Sequence, residues 1–163
     1  MPPVPARLLA MPSSNSNSSS EVVAHIDGAS RSNPGLAAYG VVIKTADGKQ
    51  LDSLKKFLGQ ASNNVAEYEA LLAALDYALR SGHRRLKVLS DSELLTRQVE
   101  GTYKVKSPDL KPLHERARKM IARLEKFSIE HVPREQNREA DRLANQALDA
   151  AERGMTGPPG RTV

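Results

Sequence analysis

The chain has 163 residues, no cysteine and a formal net charge of +5. Without cysteine there is no disulfide framework and no thiol chemistry, which fits a reducing, cytoplasmic setting. The basic balance suits a polyanionic partner, nucleic acid foremost, and no stretch approaches the roughly 18 apolar residues of a membrane span.

The first 20 residues carry Pro2, Pro3, Pro5 and a tract of Ser and Asn alone from Ser13 to Ser20. Such a segment cannot bury enough surface to offset chain entropy, so a disordered extension is expected over residues 1–20. Its single Arg and short Leu8–Met11 run make a poor signal peptide, while its Arg and Ser content without acids leaves a transit-peptide reading open. One folded domain is expected at 21–152, with a flexible Gly/Pro tail at 153–163 and a monomeric state.

Val22 to Asp27 reads as a strand and Ala38 to Lys44 as a second. Asp47-Gly48 signals a hairpin turn into a third strand from Gln50 to Leu58. Asn63 or Asn64 is a suitable N-cap for a helix that runs to about Ser81, where Gly82 stops it. On that helix Val65, Tyr68, Leu72, Leu75 and Leu79 form an apolar stripe that Leu71, Ala74 and Ala78 widen. Leu86 to Ser90 is a short buried strand. Asp91-Ser92 opens a helix ending near Gly101, and a basic loop spans Thr102 to Pro108. A helix over Asp109–Leu124, a strand over Phe127–Val132 and a helix over Asn137–Glu152 complete the order β-β-β-α-β-α-α-β-α. That order implies an α/β fold, a mixed sheet with helices on its faces.

Four acids stand at unusual places in this pattern. Asp27 closes an apolar run, where a carboxylate is costly unless something cationic meets it. Glu67 shares a helix face with Leu71, Ala74 and Ala78. Asp91 lies at the carboxyl end of a buried strand, where ligands of α/β sheets gather. Asp141 shares a face with Ala144 and Leu148. Singly, each has a plain structural reading: Glu67 and Asp141 as acids favoured by a helix N-terminus, Asp91 as an N-cap. Together they form an oxygen-only ligand set suited to Mg²⁺ or Mn²⁺. A carboxylate cluster holding two such ions is suited to phosphodiester hydrolysis.

The motifs Asp27-Gly28-Ala29-Ser30 with Asn33-Pro34-Gly35, Asn63-Asn64-Val65-Ala66-Glu67, Ser90-Asp91-Ser92 and Arg134-Glu135-Gln136-Asn137-Arg138-Glu139-Ala140-Asp141 appear in that order. On these residues the chain resembles the type 1 ribonuclease H family over roughly residues 22–150, most closely its compact, reverse-transcriptase-like branch. The resemblance implies a five-stranded mixed sheet whose first three strands are antiparallel. It implies an endoribonuclease that hydrolyses the RNA strand of RNA/DNA hybrids, leaving a 5′-phosphate and a 3′-hydroxyl. It makes Asp27, Glu67, Asp91 and Asp141 the catalytic and metal-binding acids. Asn33 and Asn64 fall at positions that touch sugars, Gly28 and Ser30 in the first contact loop, and Ser62 and Asn63 at a phosphate of the DNA strand. Physical chemistry agrees: a short amide both donates and accepts, as a 2′-hydroxyl requires, and Gly28 and Gly35 would let backbone approach a ligand.

Two features of other family members are missing. Val132 to Asn137 is too short for a mobile His loop before the last helix. Arg134 and Glu135 are the candidates to fill that auxiliary role; His131 is a weaker one, because alternation with Phe127 and Ile129 places it as a packed strand residue. The basic protrusion is also missing, although Tyr103 to Lys126 holds eight Lys or Arg against three acids. Lys104, Lys106 and Lys111 are candidate phosphate contacts there. His25 reads as a core or supporting histidine, since hard ions prefer oxygen. Alternatives are a nuclease preferring double-stranded RNA or hybrid junctions, and a non-catalytic hybrid-binding module.

Overall fold

The computed structural model describes residues 20–155. The expected extension at 1–20, but for Ser20, and the tail beyond Met155 lie outside them. Five strands and four helices follow the expected order: β1 (Glu21–Ser30), β2 (Gly35–Thr45), β3 (Gln50–Ala61), α1 (Asn63–Arg80), β4 (Arg85–Ser90), α2 (Glu93–Glu100), α3 (Lys111–Ile121), β5 (Lys126–His131) and α4 (Arg138–Met155). A short 3₁₀ turn, Arg134–Gln136, precedes α4.

The strands lie in the order β3-β2-β1-β4-β5. β1 pairs antiparallel with β2, and β2 with β3. β4 pairs parallel with β1 on one side and with β5 on the other. This is the mixed sheet expected from the sequence, with its first three strands antiparallel.

Alternation along β1 sorts its side chains to two faces. Val22, Ala24 and Ile26 join Val41, Ile43, Leu86 and Val88 in a core with Tyr68, Leu71 and Leu75 of α1. Tyr68 is 1% exposed, and its hydroxyl donates to Gln98 Oε1 of α2 at 2.7 Å, so that its buried oxygen is satisfied. On the opposite face α4 lies across β1, β2 and β3. It comes close enough that a Cβ on Gly40 would stand 2.2 Å from the Ala140 carbonyl oxygen. Among the described residues no helix is long and apolar enough to cross a membrane.

Several boundaries differ from those expected. Helix α1 is capped by Ser62, whose side-chain oxygen accepts from the Val65 N–H, not by Asn63 or Asn64. That leaves both asparagines exposed on the first turn. α3 begins at Lys111, with Leu110 buried ahead of it in the core. α4 runs to Met155, three residues into the stretch expected as tail.

Candidate active site

Adjacent parallel strands deliver the first two acids. Ile26 of β1 pairs with Ser90, the last residue of β4, so Asp27, still within β1, and Asp91, just past the end of β4, follow side by side. Helix α1 brings Glu67 over them. It comes this close because residue 28 is glycine: a Cβ there would lie 2.4 Å from both the Ala66 carbonyl carbon and the Glu67 nitrogen. One carboxylate oxygen from each of Asp27, Glu67 and Asp91 lies within 4.8 Å of the others. Asp141, in the first turn of α4, lines the same cleft of about 430 Å³ and comes within hydrogen-bonding reach of Asp27. It stands outside the tighter group of three.

Burial dominates the electrostatics. Asp27 is 5% exposed and Glu67 8%. Burial, followed by the charges of Glu67 and Asp91, drives the Asp27 pKa far above the carboxylate range. Glu67 is raised by burial and then by Asp91, with a hydrogen bond from the Gly28 backbone working the other way. Asp91 is raised by burial, and the nearby Arg134 guanidinium opposes the rise. One oxygen of Glu67, Oε1, is buried with no hydrogen-bond partner. An orphaned buried carboxylate oxygen beside two more acids fits a divalent cation, which would supply the missing positive charge.

The auxiliary candidates separate. Arg134 Nε stands 3.8 Å from Asp91 Oδ2 on a side chain that is 87% exposed. His131 corrects the expectation of a packed residue. It is the exposed last residue of β5, where the strand leaves the sheet, with Nε2 at 3.3 Å from the Asp91 carbonyl oxygen. Glu135 does not line the acid cleft. It lines a pocket of about 170 Å³ with His25, Lys44 and Glu139. His25 is half-buried there, and burial together with Lys44 pushes its pKa down.

Gly28, Ser30, Asn63 and Asn64 line the acid cleft. Asn33 and Ser62 line an adjoining groove of about 740 Å³ with Pro34, Pro108 and Pro112. Asn33 Oδ1 accepts from the Asn63 N–H at 3.2 Å, which ties the β1–β2 loop to the start of α1. Ser30 Oγ hydrogen-bonds the carbonyls of Ser32 and Ala61, so this hydroxyl braces the same loop. Gly28 and Gly35 make room for the protein's own chain: a Cβ on Gly35 would meet Ser32 Oγ at 2.4 Å. Lys104, Lys106 and Lys111 are exposed.

Sequence reasoning missed Asn145. Its Nδ2 lies 3.3 Å from Asp141 Oδ1 and 3.0 Å from the Asp141 carbonyl oxygen, and Asn145 lines the cleft. The i,i+4 spacing from Asp141 was the available signal. Arg31, also missed, clamps the β1–β2 loop to α4 through Asp149 at 2.7 Å and Glu152 at 2.8 Å.

The sheet order and the acidic cleft at its carboxyl edge define a ribonuclease H-like protein. Comparison with known sequences narrows this. The family described as reverse transcriptase-like matches residues 25–147, and the chain belongs to it. A bifunctional protein of Mycobacterium tuberculosis is 47% identical over 132 residues, covering 80% of this chain and 36% of that protein. Ribonuclease HI of Halobacterium salinarum is 44% identical over 130 residues, covering 80% of this chain and 65% of that protein. The chain thus spans less than two thirds of either relative. The crystal structure of LC11-RNase H1 in complex with an RNA/DNA hybrid matches with a TM-score of 0.76 at 39% identity, covering 80% of this chain and 98% of that one.

Proposed function

We propose that the protein is a metal-dependent endoribonuclease that cuts the RNA strand of RNA/DNA hybrids, leaving a 5′-phosphate and a 3′-hydroxyl. The observation that carries this reading is the convergence of Asp27, Glu67 and Asp91 from three separate elements, with oxygens within 4.8 Å and one of them buried without a partner. Such a cluster is unfavourable for an uncharged or purely structural role. The hybrid bound by LC11-RNase H1, a relative over nearly all of its length, supports the same substrate here.

Asp27, Glu67, Asp91 and Asp141 would hold two Mg²⁺ or Mn²⁺ ions. Bound there, the ions would lower the pKa of the attacking water and stabilise the leaving oxygen. The chain's own groups do the rest. Asn33 and Asn64 would offer amides to the sugars, where a 2′-hydroxyl distinguishes RNA from DNA, and Asn63, held by the Asn33 side chain through its backbone N–H, would meet a phosphate of the DNA strand. Gly28, Ser30 and Ser62 shape the loop and helix start that hold those amides. Arg134, 3.8 Å from Asp91, offers a cation at the open side of the cleft to steady a phosphate beside the acids. His131 stands on the same side. Lys104, Lys106 and Lys111 add sequence-independent attraction for the backbone.

A panel of matched duplexes tests the reading. The RNA strand of an RNA/DNA hybrid should be cut in Mg²⁺ or Mn²⁺ while its DNA strand and a DNA/DNA duplex stay intact. Faster cutting of RNA/RNA or of hybrid junctions would move the assignment to a nuclease of that preference. Tight binding without turnover in either metal would make the protein a hybrid-binding module.

A further inference from the structure

Asn137 lies just before α4 and is 1% exposed. Its Nδ2 donates to the Ile26 carbonyl at 2.7 Å, across 111 residues of sequence. That carbonyl belongs to the peptide group that carries the nitrogen of Asp27. β4 ends at Ser90, opposite Ile26. The side-chain amide therefore meets β1 where the strand pairing on that side stops. The main chain of Asn137 works in the other direction: its carbonyl accepts from the Asp141 N–H at 3.1 Å. One buried residue thus holds the peptide of the first acid with its side chain, while its carbonyl accepts the first helical bond of α4, from the N–H of the fourth acid.

This is not ordinary helix capping. A capping side chain accepts from an N–H in the first turn of its own helix; here the side chain donates, and to a strand. Asp27 and Asp141 reach the cleft from β1 and from the helix on the opposite face of the sheet, so neither element alone sets their separation. The amide oxygen, Oδ1, is buried with no hydrogen-bond partner, and the amide lies near the half-buried His25 ring.

We propose that Asn137 is a positioning residue that sets the spacing of Asp27 against Asp141 and, through it, the affinity of the cleft for divalent cations. The inference rests on the nuclease reading for its consequence in catalysis, but its test does not depend on cleavage. Asn137→Ala removes the side-chain grip on the Ile26 carbonyl and leaves the backbone bond to the Asp141 N–H in place. Asn137→Asp keeps its shape and replaces the donor with an acceptor facing an acceptor. Leu75→Ala, in the core between α1 and the sheet, serves as a variant that lowers stability away from the acids.

Mn²⁺ is titrated calorimetrically into each protein without nucleic acid, and hybrid cleavage is then measured across Mn²⁺ concentrations. Both Asn137 variants should need roughly 10–100-fold more Mn²⁺ for half-saturation, the range found when groups that orient metal ligands are removed. Their kcat should fall at limiting Mn²⁺ and recover in excess, with KM for the hybrid unchanged. Leu75→Ala should melt earlier and keep the wild-type Mn²⁺ midpoint. Asn137→Asp supplies the answer if the alanine variant does not fold. A wild-type midpoint in a folded Asn137 variant, whatever its melting temperature, overturns the proposal. Failure of the nuclease reading looks different: the wild type would bind Mn²⁺ and leave every hybrid uncut, with the Asn137 midpoints still displaced.

Discussion

Asp27→Asn should reduce hybrid cleavage by roughly 10³-fold or more, about 4 kcal/mol of transition-state stabilisation, and at the same time raise the melting temperature of the metal-free protein. The two effects have one cause. Asp27 is 5% exposed and faces Glu67 and Asp91, so without a cation its negative charge opposes folding. A carboxyl whose pKa is raised in the folded state holds its proton more tightly folded than unfolded. The metal-free wild type is therefore favoured below the unfolded carboxylate value near pH 4 and loses stability as pH rises through neutrality. Glu67 and Asp91 shift in the same direction and add to the loss.

Asparagine keeps the shape of Asp27 and removes that titration. Its advantage should be absent near pH 4 and grow toward pH 8. Each pKa unit of relief corresponds to about 1.4 kcal/mol, or several degrees in melting temperature for a domain of this size. Thermal melts in excess chelator across that range provide the check. An asparagine variant less stable than wild type at pH 8 would mean that the cluster is not electrostatically frustrated. Added Mn²⁺ should reverse the order, because it stabilises only a fold with an intact site.

Gly28→Ala carries the second large effect. The added Cβ would stand 2.4 Å from the Ala66 carbonyl carbon, 2.4 Å from the Glu67 nitrogen and 2.7 Å from the Ala66 oxygen. All three are backbone atoms, so no side chain can swing aside, and α1 must step back from β1. That separation loosens the core around Leu71 and Leu75, both fully buried. Overpacking of this kind costs typically about 1–3 kcal/mol, which lowers the melting temperature by roughly 5–10 °C. It also moves Glu67 away from Asp27, and a displacement near 1 Å at a reacting centre can cost roughly 10²-fold in rate. Gly154→Ala is the matched control. Nothing lies within 4 Å of a Cβ at that position of α4, so the change should be neutral or mildly stabilising. Wild-type cleavage by Gly28→Ala would contradict the close seating of α1 on β1.

Much of this architecture is legible in residue spacing. The apolar run before Asp91 places that acid at a strand end, and the Leu71-Ala74-Ala78 face turns Glu67 inward, where it is in fact buried; Asp27, expected to close its strand, lies within β1, which continues to Ser30. What spacing does not reveal is which partner approaches from another element. Gly28 reads as room for a ligand, yet the space belongs to α1, because only the packed fold shows what sits above it. Ser62, Asn63 and Asn64 are all good caps, so propensity could not choose among them. The helix begins after Ser62 and leaves both asparagines facing outward. Alternation assigned His131 to the packed face, but a strand's last residue can emerge from the sheet. Asn137 and Asn145 are ordinary polar residues in sequence; their bonds to Ile26 and Asp141 become visible only once α4 is seated across the sheet.

The most direct measurement of the central claim uses an RNA/DNA hybrid labelled on the 5′ end of its RNA strand, incubated with the protein in Mn²⁺ and in excess chelator. The expected result is endonucleolytic RNA fragments ending in a 3′-hydroxyl in Mn²⁺, and uncut RNA in chelator or with Asp27→Asn. Undiminished cleavage in chelator, or by the asparagine variant, would contradict it.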